Sequence, residues 1–207
     1  MVQPIKDTFL YFAYGSNLLK KRIRINNPSA EFLGIGRLDN YRLEFIRYSK
    51  FWGGPTATLV PTANAHVWGV IWRLKDEDKE ALDKAKGVEI KKYYVRYVDV
   101  TTPYMGPFRC RAFTQKENPL PRGDNDKIPV EQWPSWTYLE ILIRGAIEHG
   151  LPDYYLQNLK KLKVNGEEAY LRTARLLDLY ATEQPCQCKV PGRIPRKPLK
   201  LDLTKRK

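Results

Sequence analysis

The stretch Phe9-Leu10-Tyr11-Phe12-Ala13-Tyr14-Gly15-Ser16-Asn17-Leu18-Leu19 organises the chain around it. The aromatic and apolar run from Phe9 to Ala13 reads as a buried strand, and Gly15-Ser16-Asn17 stops it in a tight loop. Residues 18–23 then resume with helix-like spacing. A strand that runs through such a loop into a helix gathers several backbone N–H groups at one point. Those donors are fixed in advance, so the loop suits a carboxylate or a developing oxyanion. The same residues also suit a plain strand-to-helix turn with Ser16 or Asn17 as its N-cap. Local physics leaves both readings open.

Outward from this loop, strand candidates cover 32–38, 41–48, 56–60, 67–74, 93–100 and 108–114. Turn residues such as Asp39-Asn40, Gly53-Gly54-Pro55 and Met105-Gly106-Pro107 separate them. Short strands with Gly/Pro punctuation predict a barrel or a strongly curved sheet. Helices are expected over 76–86, 137–149, 153–162 and 168–182. The first opens with acids, carries Lys84 and Lys86 in its last turn and stops at Gly87. That charge order suits a helix macrodipole. Residues 117–134 are rich in proline and read as a long surface loop able to cover a site.

The chain has 207 residues, 43% of them hydrophobic and 12% aromatic. That supports one packed domain with some tail and argues against intrinsic disorder. No apolar run approaches the roughly 20 residues of a membrane-spanning helix, and the first residues lack the apolar stretch of a secretory signal. Cys110, Cys186 and Cys188 are too few for a disulfide framework. A cytoplasmic protein is expected. The net charge of +13 is uneven. Residues 189–207 hold eight basic residues against Asp202, a surplus of +7, and the other 188 positions carry +6. The tail 185–207 therefore reads as a disordered, proline-broken basic end, either a non-specific polyanion contact and nuclear address or a solvated terminus.

The loop at residues 9–19 is similar to the signature loop of the γ-glutamylcyclotransferases. The likeness continues in Arg22-Ile23, Asn27-Pro28-Ser29-Ala30, residues 54–58, Val67-Trp68-Gly69-Val70-Ile71-Trp72, Leu82-Asp83, Gly87-Val88, Tyr93, residues 134–138 and Gly150-Leu151-Pro152. It runs in collinear order from residue 9 to about residue 165. The chain thus resembles a divergent member of that family, insect-like or other. The resemblance implies an α+β fold, with a small mixed β-barrel of about six or seven strands flanked by helices. Its domain would span 9–184, between a lead at 1–8 and the basic tail. It implies a reaction of glutathione metabolism that turns a γ-glutamyl amino acid into 5-oxoproline and a free amino acid, with no cofactor and no metal. It also implies a homodimer as one assembly. By the same resemblance, Tyr11, Phe12, Ala13, Tyr14, Gly15 and Ser16 form the substrate-binding loop and Tyr138 is a further contact.

In that reaction the α-amine of the γ-glutamyl group attacks its own γ-carbonyl and closes a five-membered ring. The site must fold the substrate, donate to the oxyanion and take the ammonium proton. The family's base is a glutamate just before the Gly-Val that follows Leu-Asp. Here the segment reads Leu82-Asp83-Lys84-Ala85-Lys86-Gly87-Val88, so Lys86 takes that position. An ordinary lysine has a pKa of about 10.4, so only about one in a few thousand is neutral at pH 7. Its charge also repels the ammonium that a carboxylate would attract. Losing a general base costs about 10²–10⁴ in rate.

The expectation is a catalytically impaired member, a pseudoenzyme that keeps a pocket for a small γ-glutamyl or anionic ligand. The alternatives are an active enzyme whose base is a neutral, desolvated Lys86 or Glu89, and an interaction protein working through its tail. Asp83 is a weaker base candidate, since the family keeps it beside its glutamate. Cys186 and Cys188 lack partners for a metal set. His66 and His149 have no obvious partner in the sequence. Trp68 and Trp72 share a strand face and read as core, and Trp133 and Trp136 border the proline-rich loop as candidate pocket walls.

Overall fold

A computed structural model describes residues 7–116, 119, 127–169 and 177. The basic tail, almost all of the helix expected over 168–182 and half of the proline-rich loop lie outside these residues. The elements are β1 (Thr8–Ala13), α1 (Lys20–Arg24), β2 (Glu31–Ser49), β3 (Gly54–Lys75), α2 (Lys79–Lys86), β4 (Tyr94–Val100), β5 (Phe108–Thr114), α3 (Trp136–Glu148) and α4 (Asp153–Lys160). Single 3₁₀ turns lie at Ser16–Leu18, Asp76–Asp78 and Val130–Gln132.

The expectation was six or seven strands; among the described residues five strands form one mixed sheet, in the order β2-β3-β1-β5-β4. The candidates at 32–38 and 41–48 are one strand, as are those at 56–60 and 67–74. Asp39-Asn40 looked like a turn, but Asn40 adopts φ 62° inside the ladder. The pairing jumps there from Asp39↔His66 to Tyr41↔Pro61, with Asn64 also at φ 62°. Asparagine tolerates the left-handed conformation, so the chain bulges and bends without leaving the sheet. The true hairpin is at Gly53, where φ is +68° and a Cβ would lie 2.3 Å from the Glu168 carbonyl oxygen.

The sheet curls until its edges touch. Arg37 of β2 and Thr101, just after β4, exchange backbone hydrogen bonds of 2.7 and 2.9 Å. Gly36 allows this approach, since a Cβ there would sit 2.3 Å from Val100 Cγ1. A single bridge is not a ladder, so the expected barrel is a curled sheet whose continuous closure does not occur among the described residues. Phe12, Trp72 and Phe113 are each almost fully buried, Phe12 on one face of the β1–β3 pair and Trp72, opposite Tyr11, on the other. Truncating a buried aromatic of this kind to alanine typically costs about 3–5 kcal/mol.

β1 is the central strand, so its end delivers residues 14–18 to the middle of the sheet. α3 packs against that loop at Gly145, where a Cβ would meet Leu18 Cβ at 2.6 Å and the Leu18 carbonyl carbon at 2.7 Å. The start of α3 is set by Ser135, whose Oγ accepts from Tyr138 N at 3.1 Å and donates to the Trp52 carbonyl. This cap orients the first turn, which carries Tyr138. α2 ends as its sequence predicts, at Gly87 with φ +64°.

Candidate active site

Gly15 lies where only a glycine fits comfortably: a Cβ would be 3.0 Å from Tyr138 Oη and 3.3 Å from Ala57 Cβ. Tyr138 Oη accepts from Ala57 N at 3.2 Å. The Tyr93 hydroxyl reaches the same residue from the other side, 3.0 Å from the Ala57 carbonyl oxygen and 2.8 Å from Thr56 Oγ1. Gln115 Nε2 donates to Tyr93 Oη at 3.0 Å. Tyr14 donates its hydroxyl proton to the Phe113 carbonyl. Tyr11 accepts from Asn17 Nδ2 at 3.3 Å and packs edge-on against Phe113, with ring centroids 5.6 Å apart. Trp72, from the next strand, fixes the loop by donating Nε1–H to Asn17 O at 3.0 Å. The loop residues Tyr11, Phe12, Ala13, Tyr14, Gly15 and Ser16 and the helix residue Tyr138 are thus brought to one place, and all are buried.

Lys86 belongs to this cluster. Its Nζ lies 5.6 Å from the Tyr93 ring centroid and 5.8 Å from that of Phe113. Burial, and then the positive charge of Arg22, lower its pKa from 10.5 to about 7. Burial also raises the phenols of Tyr11, Tyr14, Tyr93 and Tyr138 above their ordinary range, so all four stay neutral. Arg22 from α1 stands over Trp52, 5.8 Å from guanidinium carbon to ring centroid. Trp52 in turn packs against Tyr138 at 5.1 Å. The result is a site of neutral hydroxyls and two basic groups, Arg22 and Lys86.

Neither acidic candidate joins it. Asp83, one turn before Lys86 on α2, is held by Arg111, whose Nη2 is 2.6 Å from both carboxylate oxygens. Glu89 lies exposed in the turn after α2. No group of three His, Cys, Asp or Glu side chains able to hold a metal occurs among the described residues. Cys186 and Cys188 lie outside those residues. His66 meets the Tyr154 hydroxyl at 3.0 Å, and His149 stacks on Phe32 with centroids 4.7 Å apart. Of the tryptophans, Trp72 is core as expected and Trp68 donates to Tyr154 at 2.6 Å. Trp133 binds the Ile128 carbonyl at 2.9 Å. The tryptophan against Tyr138 is Trp52, which sequence reasoning left without a role.

Mouse γ-glutamylcyclotransferase is 36% identical to this chain over 163 residues, covering 77% of the chain and 81% of the mouse protein. The chain belongs to the γ-glutamylcyclotransferase family. The human γ-glutamylcyclotransferase is likewise 36% identical, over 166 residues, 78% of this chain and 82% of the human protein. A solved γ-glutamyl cyclotransferase structure matches with a TM-score of 0.73 at 32% identity, over 83% of this chain and 99% of that one. The AIG2-like family profile matches residues 66–159. In this γ-glutamylcyclotransferase-family chain, the matched profile spans the second half of β3 and everything from α2 through most of α4. The Gly15 loop lies before it. No helix among the described residues is long and apolar enough to cross a membrane.

Proposed function

We propose that this γ-glutamylcyclotransferase-family protein keeps a small-ligand pocket at the Gly15 loop but is impaired in the family's reaction, because Lys86 stands where that reaction uses a glutamate base. The observation that carries this reading is the placement of Lys86 Nζ over the Tyr93 and Phe113 rings, facing the cluster. A carboxylate there would attract the substrate's ammonium and take its proton. A protonated lysine does neither, and Arg22 adds a second positive charge to the same space. Neither acidic candidate compensates, since Asp83 is bound to Arg111 and Glu89 is exposed.

One observation favours a second reading, in which Lys86 is itself the base. With a pKa of about 7, about half of it is neutral at pH 7, far more than an ordinary lysine provides. The two readings separate in one assay: 5-oxoproline released from γ-glutamyl-alanine and γ-glutamyl-cysteine by wild type, Lys86→Glu, Lys86→Gln and Glu89→Gln. The impaired reading expects no turnover from wild type and a gain with Lys86→Glu. Wild-type turnover that climbs through pH 7 and vanishes in Lys86→Gln establishes the second reading instead. Turnover lost only in Glu89→Gln would overturn both.

A further inference from the structure

We infer that Arg22 and Lys86 form a receptor for a small carboxylate with no neighbouring ammonium, such as an acyl diacid or a lactam acid, and that Arg22 is its specificity-determining residue. This rests on the ligand-pocket reading above and goes beyond it by naming the ligand's charge pattern and a residue that the family resemblance gave no role.

Arg22 is the more unusual of the two. A guanidinium carries five N–H donors in a planar fork. Among the described residues none of them meets an acceptor, and Nε is buried without a partner. The Trp52 face stacks beneath the group at 5.8 Å but accepts none of its in-plane hydrogens. Arg22 is partly buried, and its Nε–H is closed off from water with nothing to bind, a condition that is costly unless something else satisfies it. Lys86 repeats the pattern, with three donors over two ring faces and no hydrogen bond to any described residue.

The two cations border the same side chains. Arg22 acts electrostatically on Tyr11 and Tyr138, and Trp52 under it packs on Tyr138. Tyr11 packs on Phe113, and Phe113 lies under Lys86. An anion placed among these tyrosines answers both charges at once. A carboxylate suits the guanidinium fork, whose paired N–H groups match its two oxygens. The neutral phenols of Tyr11 and Tyr138 supply additional polar contacts. A γ-glutamyl group brings its own ammonium into the same space, against two like charges and, among the described residues, with neither Asp83 nor Glu89 free there to receive it.

The test is calorimetric titration of the full chain with glutarate, 5-oxoproline and γ-glutamyl-alanine. Glutarate and 5-oxoproline should bind ~10-fold or more tighter than γ-glutamyl-alanine. Arg22→Lys keeps the charge but loses the fork, and should weaken glutarate ~10-fold with γ-glutamyl-alanine little changed. Lys86→Glu should reverse the preference. Should Arg22→Lys melt before it can be titrated, the pH series of the wild type decides. The titratable and charged groups set against Lys86 are Arg22 from α1 and Tyr93 ahead of β4, with Arg111 from β5 over the same Phe113 ring and Asp83, one turn earlier on α2, held by Arg111. Lys86, lowered to about 7, loses its proton between pH 6 and 9, so glutarate affinity should fall across that range. A flat pH series, or γ-glutamyl-alanine binding as tightly as glutarate, overturns the inference and leaves the pocket reading standing. If none of the three compounds binds, the pocket reading itself fails, and this inference with it.

Discussion

Lys86→Met should make the protein more stable at pH 6 and leave it nearly unchanged at pH 10. In the folded protein Lys86 titrates near 7, against 10.5 in the unfolded chain. At ~1.36 kcal/mol per pH unit, that difference sets an upper limit of ~5 kcal/mol on the cost of holding the ammonium in the fold. Two ring faces within ~6 Å of the charge return ~0.5–1 kcal/mol each, and the side chain is not fully closed off from water. A net cost of ~2–3 kcal/mol remains. Met fills the space of the lysine stem without a charge. The sign follows from proton binding. Below pH 7 both states are protonated and the cost is fully present. Between 7 and 10.5 the unfolded chain holds a proton that the folded one has released, so wild-type stability rises with pH across that window. Urea unfolding of both proteins at pH 6, 8 and 10 measures the gap directly. If Lys86→Met is no more stable at pH 6, or if the gap does not shrink toward pH 10, Lys86 is solvated or paired and the reasoning about this site is wrong.

The Arg111–Asp83 pair should respond asymmetrically. Arg111 is 7% exposed and Asp83 28%, so Asp83→Asn, which strands the drier partner, should cost ~3–5 kcal/mol and Arg111→Met only ~2–3 in urea unfolding. The reverse order would refute this burial argument. Gly145→Ala gains ~1 kcal/mol of helix propensity, but its Cβ would meet Leu18 and Leu19 backbone atoms at 2.7 Å. Overpacking of ~1–3 kcal/mol should dominate and lower the melting temperature; a rise would show that the loop yields freely. Ser135→Ala removes the α3 cap and a donor to the Trp52 carbonyl. A loss of ~1–2 kcal/mol, or about 2–8 °C in melting temperature, is expected by calorimetry.

Much of the fold was legible because its punctuation is chemical. Gly53-Gly54-Pro55, Met105-Gly106-Pro107 and Gly87 all end elements where expected, each for a backbone reason visible in the residue itself. The strand count was not legible, because Asn40 bends a strand with the same residue type that ends one. Which outcome occurs depends on the partner strand, here on Asn64 opposite. The site divides in the same way. Tyr11 to Ser16 announce themselves as a strand running into a tight loop. Arg22 and Trp52 do not, because a guanidinium over an indole is a long-range contact without local periodicity. The rings of Tyr93 and Phe113 that lie against Lys86 come from other elements and leave no mark in a run of charged helix residues.

The register of α2 then decides the chemistry. Asp83 and Lys86 are three positions apart, close enough on a helix to pair with each other. They do not, because Arg111 rises from β5 and takes both oxygens of Asp83. Arg111 also lies over Phe113, 5.5 Å from its centroid, so that one ring separates two cations of opposite condition. Arg111 has its carboxylate, and Lys86 has only aromatic faces. The pair therefore does two things at once: it anchors α2 to the sheet, and it withholds from Lys86 the carboxylate one turn away on its own helix. Arg111→Met should accordingly raise the pKa of Lys86 as Asp83 becomes free to reach it. Amine-labelling rates followed against pH would show this as a shift of the Lys86 midpoint upward from about 7. An unmoved midpoint would mean that the ring faces and Arg22 alone fix the charge of this site.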